Sequence, residues 1–278
     1  MTKLMILLAV LFQSLASQAS LLEATIAQGP HQGESLLSVV SQTLPARAVH
    51  DAFTFFDTNQ GVKRSALVYS TAPNAAKPPV TTYVCDKAGI VCKKEIVQQT
   101  LFANSRYLII FDLNQSSMTP RFHIVDLTTG EVTSLFASHG KESTCPNDMT
   151  RACKFISDRD SGATPLGFFL TGHTFFGQDK WEIPLIGLQG PAVGAERNDV
   201  PSTIVIHGAP YASAAFRQLH GYMGRSLGCP ALSFDDILAW KDRLQDGALF
   251  YFFHDSLPAQ LAPVSNVVEP GAKAPGSN

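Results

Sequence analysis

One cysteine, Cys229, stands in the tight polar turn Gly224-Arg225-Ser226-Leu227-Gly228-Cys229-Pro230, downstream of His207, which ends the apolar run Ile204-Val205-Ile206. A thiol with a pKa of about 8.5 is only a few per cent ionised at neutral pH, so a nucleophilic cysteine needs a base within reach. A lone cysteine is by default a small hydrophobe. Here the neighbours are glycine, proline, serine and arginine, which describe a turn and not an apolar strand. Gly228 lets a substrate approach the backbone closely, the amides around Cys229 can offer donors to an oxyanion, and Arg225 would favour the thiolate.

Seven of the eight histidines in the sequence, all but His220, stand in the following contexts. His31 and His50 fall in the N-terminal part, His173 and His254 sit in or near strand ends, and His123 lies within a strand pattern; these read as structural or solvated. His139 and His207 differ, because each ends an apolar run and precedes glycine, a place where a side chain emerges from a scaffold into a cleft. His207 is the expected base, since its strand leads directly into the loop and helix that deliver Cys229. His139 is a candidate for the substrate side or for a supporting role.

The elements that must position these groups are mostly strands. "RYLIIFDL", "RFHIVDL" and "EVTSLFAS" suggest a meander around the turn at residues 128–130, and further apolar runs follow at 168–171, 181–188, 203–207 and 248–253. Two helices interrupt them, "ASAAFRQL" and "SFDDILAWKDRL", the second with Ser233 as N-cap and Asp236 three residues on. Upstream, residues 34–57 carry apolar residues at helical spacing with a break near Pro45, and residues 73–79 read as a loop.

Lys3, the apolar run Leu4 to Phe12 and the small residues Ser17-Gln18-Ala19 read as an export signal cleaved before Ser20, with an uncleaved N-terminal anchor as the alternative that so short an apolar run disfavours. No cysteine follows that point to carry a lipid anchor. In an oxidising compartment, Cys85 and Cys92, and Cys145 and Cys153, suit sequence-near disulfides, although four cysteines allow three pairings. Closing each such small loop contributes about 2–3 kcal/mol in the chain-entropy model. A zinc site is the weaker reading, because neither pair has the tight C-x2-C spacing. A net charge of −2 without long charge runs leaves no footprint for nucleic acid and no polybasic membrane patch, and no feature sets an oligomeric state.

His207-Gly208 followed by Ser226-Leu227-Gly228-Cys229 resembles the signature of murein L,D-transpeptidases of the YkuD-like superfamily. The turn is most similar to the divergent branch that reads Gly-Arg-Ser-x-Gly-Cys-Pro-Ala. "FDLNQSSMTPRFHIVDLTTGEV", "ASHGKES", "SGATPLGFFLTGHTFFG" and "IVIHGAPYAS" extend the resemblance over roughly residues 105–253. It departs from the commoner pattern at Leu227, where a histidine is usual, and at Ala231, where an arginine is usual; Arg225 is the obvious replacement for the positive charge. The segment from Cys145 to Cys153 looks like an insertion beside the cleft.

The resemblance implies a mainly β, α+β fold: a sandwich or barrel of mixed strands with few helices. Together with the residue patterns, it divides the chain into a signal at 1–19, a helical N-terminal or cap region at 20–100, a catalytic domain at 101–255 and a disordered tail at 256–278. Cys229 would be the nucleophile, His207 the base and the Gly208 carbonyl its orienter, with the Gly228 and Cys229 amides as oxyanion hole. Arg225, Ser226, Tyr211 and His139 would face the substrate, a peptidoglycan stem tetrapeptide, and a second stem's diaminopimelate amine would accept the acyl group. No cofactor or metal is implied. Hydrolysis of the same acyl-enzyme, or a non-catalytic peptidoglycan-binding module, are the alternative outcomes, and carbapenems would acylate Cys229.

Overall fold

The computed structural model describes residues 20–71, 92–158, 160–177, 179–189 and 204–258. The expected signal, the loop at 73–79, the residues beyond 258 and the expected Cys85–Cys92 pairing lie outside them.

Two N-terminal helices, α1 Leu36–Ser41 and α2 Ala46–Asn59, meet at Pro45. Ser35 caps α1 by accepting from the Ser38 amide, and Pro45 is tolerated as the residue before α2, where an intrahelical donor is not needed. The region expected to be helical also carries an antiparallel hairpin, β1 Lys63–Thr71 against β2 Cys92–Thr100. Neither strand shows a clean period-2 alternation: β1 bunches Ala66-Leu67-Val68-Tyr69 and β2 opens on Lys93-Lys94-Glu95.

The remaining strands are β3 Tyr107–Asp112, β4 Phe122–Asp126, β5 Val132–Leu135, β6 Thr144–Cys145, β7 Asp148–Ala152, β8 Gly167–Thr171, β9 Phe175–Gly177, β10 Lys180–Gly187, β11 Val205–Gly208, β12 Ala231–Leu232 and β13 Leu249–Phe253. Helices α3 Ala214–His220 and α4 Phe234–Leu244 complete the order. The large sheet runs β12-β11-β10-β8-β13-β3-β4-β5, with β9 added beside β10. It is mixed: β11 with β12 and β13 with β3 are parallel, the rest antiparallel. This is the mainly β architecture with few helices that the sequence implied.

Strands β3 and β13 are buried along their whole length, as their unbroken apolar runs require. One face is covered by α2, whose Phe55 stacks on Phe168 at 4.0 Å, while Phe168 stacks on Tyr251 at 4.1 Å. Phe53, Phe55 and Phe56 thus join the same hydrophobic cluster as the sheet, each burial contributing about 1.5–3 kcal/mol. Tyr251 finds a partner for its hydroxyl in Asp51 of α2, at 3.3 Å.

The two ends of the sheet meet. Just past β5, the Ser138 amide donates to Ala231 O of β12 at 2.8 Å, the Ser226 amide to His139 O at 3.0 Å, and the Lys141 amide to Ser226 O at 2.9 Å. The sheet is therefore nearly closed on itself, and the turn carrying Cys229 forms the seam.

Candidate active site

His207 and Cys229 come together because β11 and β12 are parallel neighbours, with His207 in register with Ala231. A parallel pair needs a crossover, which residues 209–230 provide through a 3-10 turn at Pro210–Ala212 and α3. Both side chains line a cleft of about 720 Å³ together with Tyr211, Arg225, Asp179 and Glu182.

The turn is built by Ser226. Its hydroxyl donates to Cys229 O at 2.5 Å and accepts from the Gly228 amide at 3.1 Å. The expected roles of these two residues change accordingly: the Ser226 hydroxyl is engaged inside the turn and not offered to substrate, and the Gly228 N–H already has an acceptor. Gly228 is required for another reason, its φ of +123°, where a Cβ would also come within 2.7 Å of Ala163 O.

Thr164, fully buried, ties the turn to the opposite wall. Its hydroxyl accepts from the Gly140 amide at 2.8 Å and donates to Gly228 O at 3.0 Å, while its own amide donates to Ser143 Oγ at 2.8 Å.

His207 is 5% exposed. Its Nδ1 lies 3.2 Å from Gly208 O and 3.6 Å from Asp179 Oδ2. Neither oxygen can donate, so Nδ1 carries the proton and Nε2 is the basic nitrogen. Burial lowers the pKa of His207, against the raising effect of Asp179 and of the Gly208 carbonyl, so the ring is neutral near pH 7.

The Cys229 sulfur is turned inward and accepts from the Val205 amide at 3.4 Å. Burial pushes the thiol up to about 12, the Val205 amide opposes this, and the charges of Asp179 and Glu182 add to it. The expectation that Arg225 favours the thiolate is not met: the resting pair is neutral thiol and neutral imidazole. Arg225 instead places Nη1 3.4 Å from Met149 Sδ at the cleft rim. Tyr211 stays protonated, its pKa raised by burial and by Asp179. Leu227 points into solvent at the cleft edge, 71% exposed.

His139 is not in the cleft. It is 1% exposed, with Nδ1 2.7 Å from Arg121 Nη2 and Nε2 3.4 Å from Thr144 Oγ1. A guanidinium only donates, so His139 Nδ1 is the acceptor and the ring is neutral; burial and then Arg121 bring its pKa down to about 3. The substrate-side role is replaced by support of the seam. Arg121, fully buried, gives Nε and Nη2 to Ala137 O and Nη1 to Gln115 O, fixing the segment after β5 on which His139 and Gly140 sit. Sequence reading missed Thr164, Asp179 and Arg121; the last precedes a strand and looks like a surface charge.

The insertion is a hairpin of β6 and β7 closed by the Cys145–Cys153 disulfide. It carries Met149 over Arg225.

Residues 82–253, well over half of the chain, match the family model described as the L,D-transpeptidase catalytic domain. The chain belongs to the L,D-transpeptidase catalytic domain family. Among solved structures, the chain is similar to an L,D-transpeptidase from Mycobacterium smegmatis, with 18% identity over 59% of this chain and 66% of that one and a TM-score of 0.35. It is also similar to the L,D-transpeptidase LdtMt1 in complex with imipenem, with 14% identity over 69% and 82% and a TM-score of 0.33. A third is the helical cell shape determining protein Pgp2 from Campylobacter jejuni, with 11% identity over 76% and 56% and a TM-score of 0.34. This chain thus spans less than two thirds of the length of the Campylobacter protein. No curated protein sequence matches it. The assignment of this L,D-transpeptidase family member rests on the sequence model.

Proposed function

We propose that this chain is an exported cysteine acyltransferase that forms 3-3 cross-links between peptidoglycan stem peptides. The observation that carries the reading is the convergence of His207 and Cys229 on one cleft at the seam of an L,D-transpeptidase catalytic domain. His207 Nε2 takes the proton from Cys229 as the sulfur attacks the carbonyl of the diaminopimelate L-centre in a tetrapeptide. Because the resting thiol is neutral, proton transfer accompanies attack, a general-base contribution worth about 10²–10⁴ in rate. Tyr211, kept protonated by burial and lining the same cleft, would offer its hydroxyl, beside the backbone amides of the Cys229 turn, to the oxyanion. The imidazolium then protonates the departing D-alanine amine, leaving a thioester. The amine of a second stem breaks it and yields the cross-link.

Incubation with tetrapeptide muropeptides, read by mass spectrometry, tests the proposal. Cross-linked dimers are expected. Tripeptide monomers alone would make water the acceptor and the enzyme an L,D-carboxypeptidase, and an unchanged substrate would leave only a binding module. A carbapenem such as imipenem is expected to form an adduct on Cys229 that is lost in Cys229→Ser.

A further inference from the structure

We infer that Asp179 is a positioning residue for His207, holding the imidazole in its working tautomer and stabilising its charged form alongside the Gly208 carbonyl. This rests on the reading of His207 and Cys229 as base and nucleophile.

Four features of the β9–β10 hairpin bring Asp179 to this place. The strands pair Gly177 with Lys180 and Glu182 with Phe175, so Asp179 sits in the connecting turn. Glu182 is itself in register with His207 on the other side of β10, and its Oε1 accepts from the Asp179 amide at 2.8 Å. Lys180 adopts φ +70°, a left-handed conformation that costs any residue with a Cβ and persists only where its surroundings demand it. Its ammonium lies 4.2 Å from the Phe234 ring centroid, and that ring sits so close to Gly208 that a Cβ there would be 2.6 Å from it. The hairpin is thereby tied to the residue whose carbonyl already orients His207. What it presents is the Asp179 carboxylate, 3.6 Å from Nδ1.

In the resting state the Gly208 carbonyl is the nearer acceptor. Once Nε2 takes the thiol proton, the ring bears a full positive charge while the Nδ1 proton stays in place. A formal anion then stabilises the imidazolium more than a carbonyl dipole does, the division of labour expected of the acid in a nucleophile-base-acid triad. The titratable groups that share the cleft with His207 and Asp179 are Glu182 on β10, Tyr211 from the 3-10 turn, Arg225 and Cys229 on the Cys229 loop, and the charged residues of the segments 141–142 and 158–160.

The test is Asp179→Asn, which keeps size and leaves the Glu182 contact to the backbone intact, beside Asp179→Glu. Turnover of tetrapeptide is measured against pH, and the His207 ring is titrated by NMR in the same proteins. Asp179→Asn is expected to lower plateau kcat at least tenfold, and to move both the acid limb and the His207 titration to lower pH, because the anion that favours the imidazolium is gone. Asp179→Glu is expected to restore the pH position and part of the rate. A drop in rate with both pH readouts unmoved would make Asp179 a structural turn residue and overturn the inference, as would wild-type behaviour. Full turnover in Cys229→Ala or His207→Ala would instead overturn the underlying reading of the pair.

Discussion

Replacing Thr164 by valine changes little in volume and removes one hydroxyl from a buried site. That hydroxyl is the acceptor for the Gly140 amide at 2.8 Å and the donor to Gly228 O at 3.0 Å. Each partner is left in the interior without it, and a buried polar group so stranded costs about 1–3 kcal/mol. The two together give a destabilisation of about 3 kcal/mol, discounting for relaxation. At about 2–4 °C per kcal/mol for a domain of this size, Tm falls by about 6–12 °C. Thr164→Ser keeps the hydroxyl and loses only a buried methyl, about 1 kcal/mol. Urea unfolding of the three proteins measures the difference directly, and tetrapeptide turnover measures what the loosened Gly228 carbonyl does to the Cys229 turn. Turnover in Thr164→Val should drop by more than its folded fraction accounts for. If Thr164→Val lies within 0.5 kcal/mol of Thr164→Ser, the hydroxyl does not tie the turn to the wall and the reasoning fails.

Arg225→Ala should lower turnover at least tenfold, about 1.4 kcal/mol of transition-state stabilisation, with little change in Tm. Arg225→Lys should stay impaired if the planar fork binds a substrate carboxylate. Alkylation of Cys229 by iodoacetamide should rise with pH without a plateau up to pH 10, because burial disfavours the thiolate and holds the thiol near 12; a plateau below pH 9 would show a thiolate pair in the resting protein. Converting Cys145 and Cys153 to serine should cost about 2–3 kcal/mol by the loop-closure argument. It should also release Met149 from Arg225, read as a rise in KM greater than the fall in kcat.

The strands that form the interior were legible in the sequence because unbroken apolar runs such as Leu249–Phe253 are buried on both faces. So was the cap of α4, where the Ser233 hydroxyl accepts from the Asp236 amide at 3.1 Å. That His207 and Cys229 would face one cleft was legible from an apolar strand ending in His-Gly and a glycine-rich turn. What surrounds them was not. The seam is made by a two-residue strand and a few backbone bonds between residues some ninety positions apart, which leave no periodic trace. Asp179 stands in a short polar turn, where an aspartate is ordinary. His139 carried the same local signal as His207, an apolar run followed by glycine, yet faces inward because Arg121 meets it there.

The seam also dictates an order of assembly. Joining Ser138 to Ala231 and His139 to Ser226 requires both ends of the sheet to have formed, and such long-range contacts close late because the loop entropy is lost before they form. The shape that presents Cys229 to His207 therefore exists only in a chain that has finished folding. A nascent or partly folded molecule holds the same two residues but not the cleft, so the acyl transfer proposed for it would be withheld until the two ends of the sheet have met.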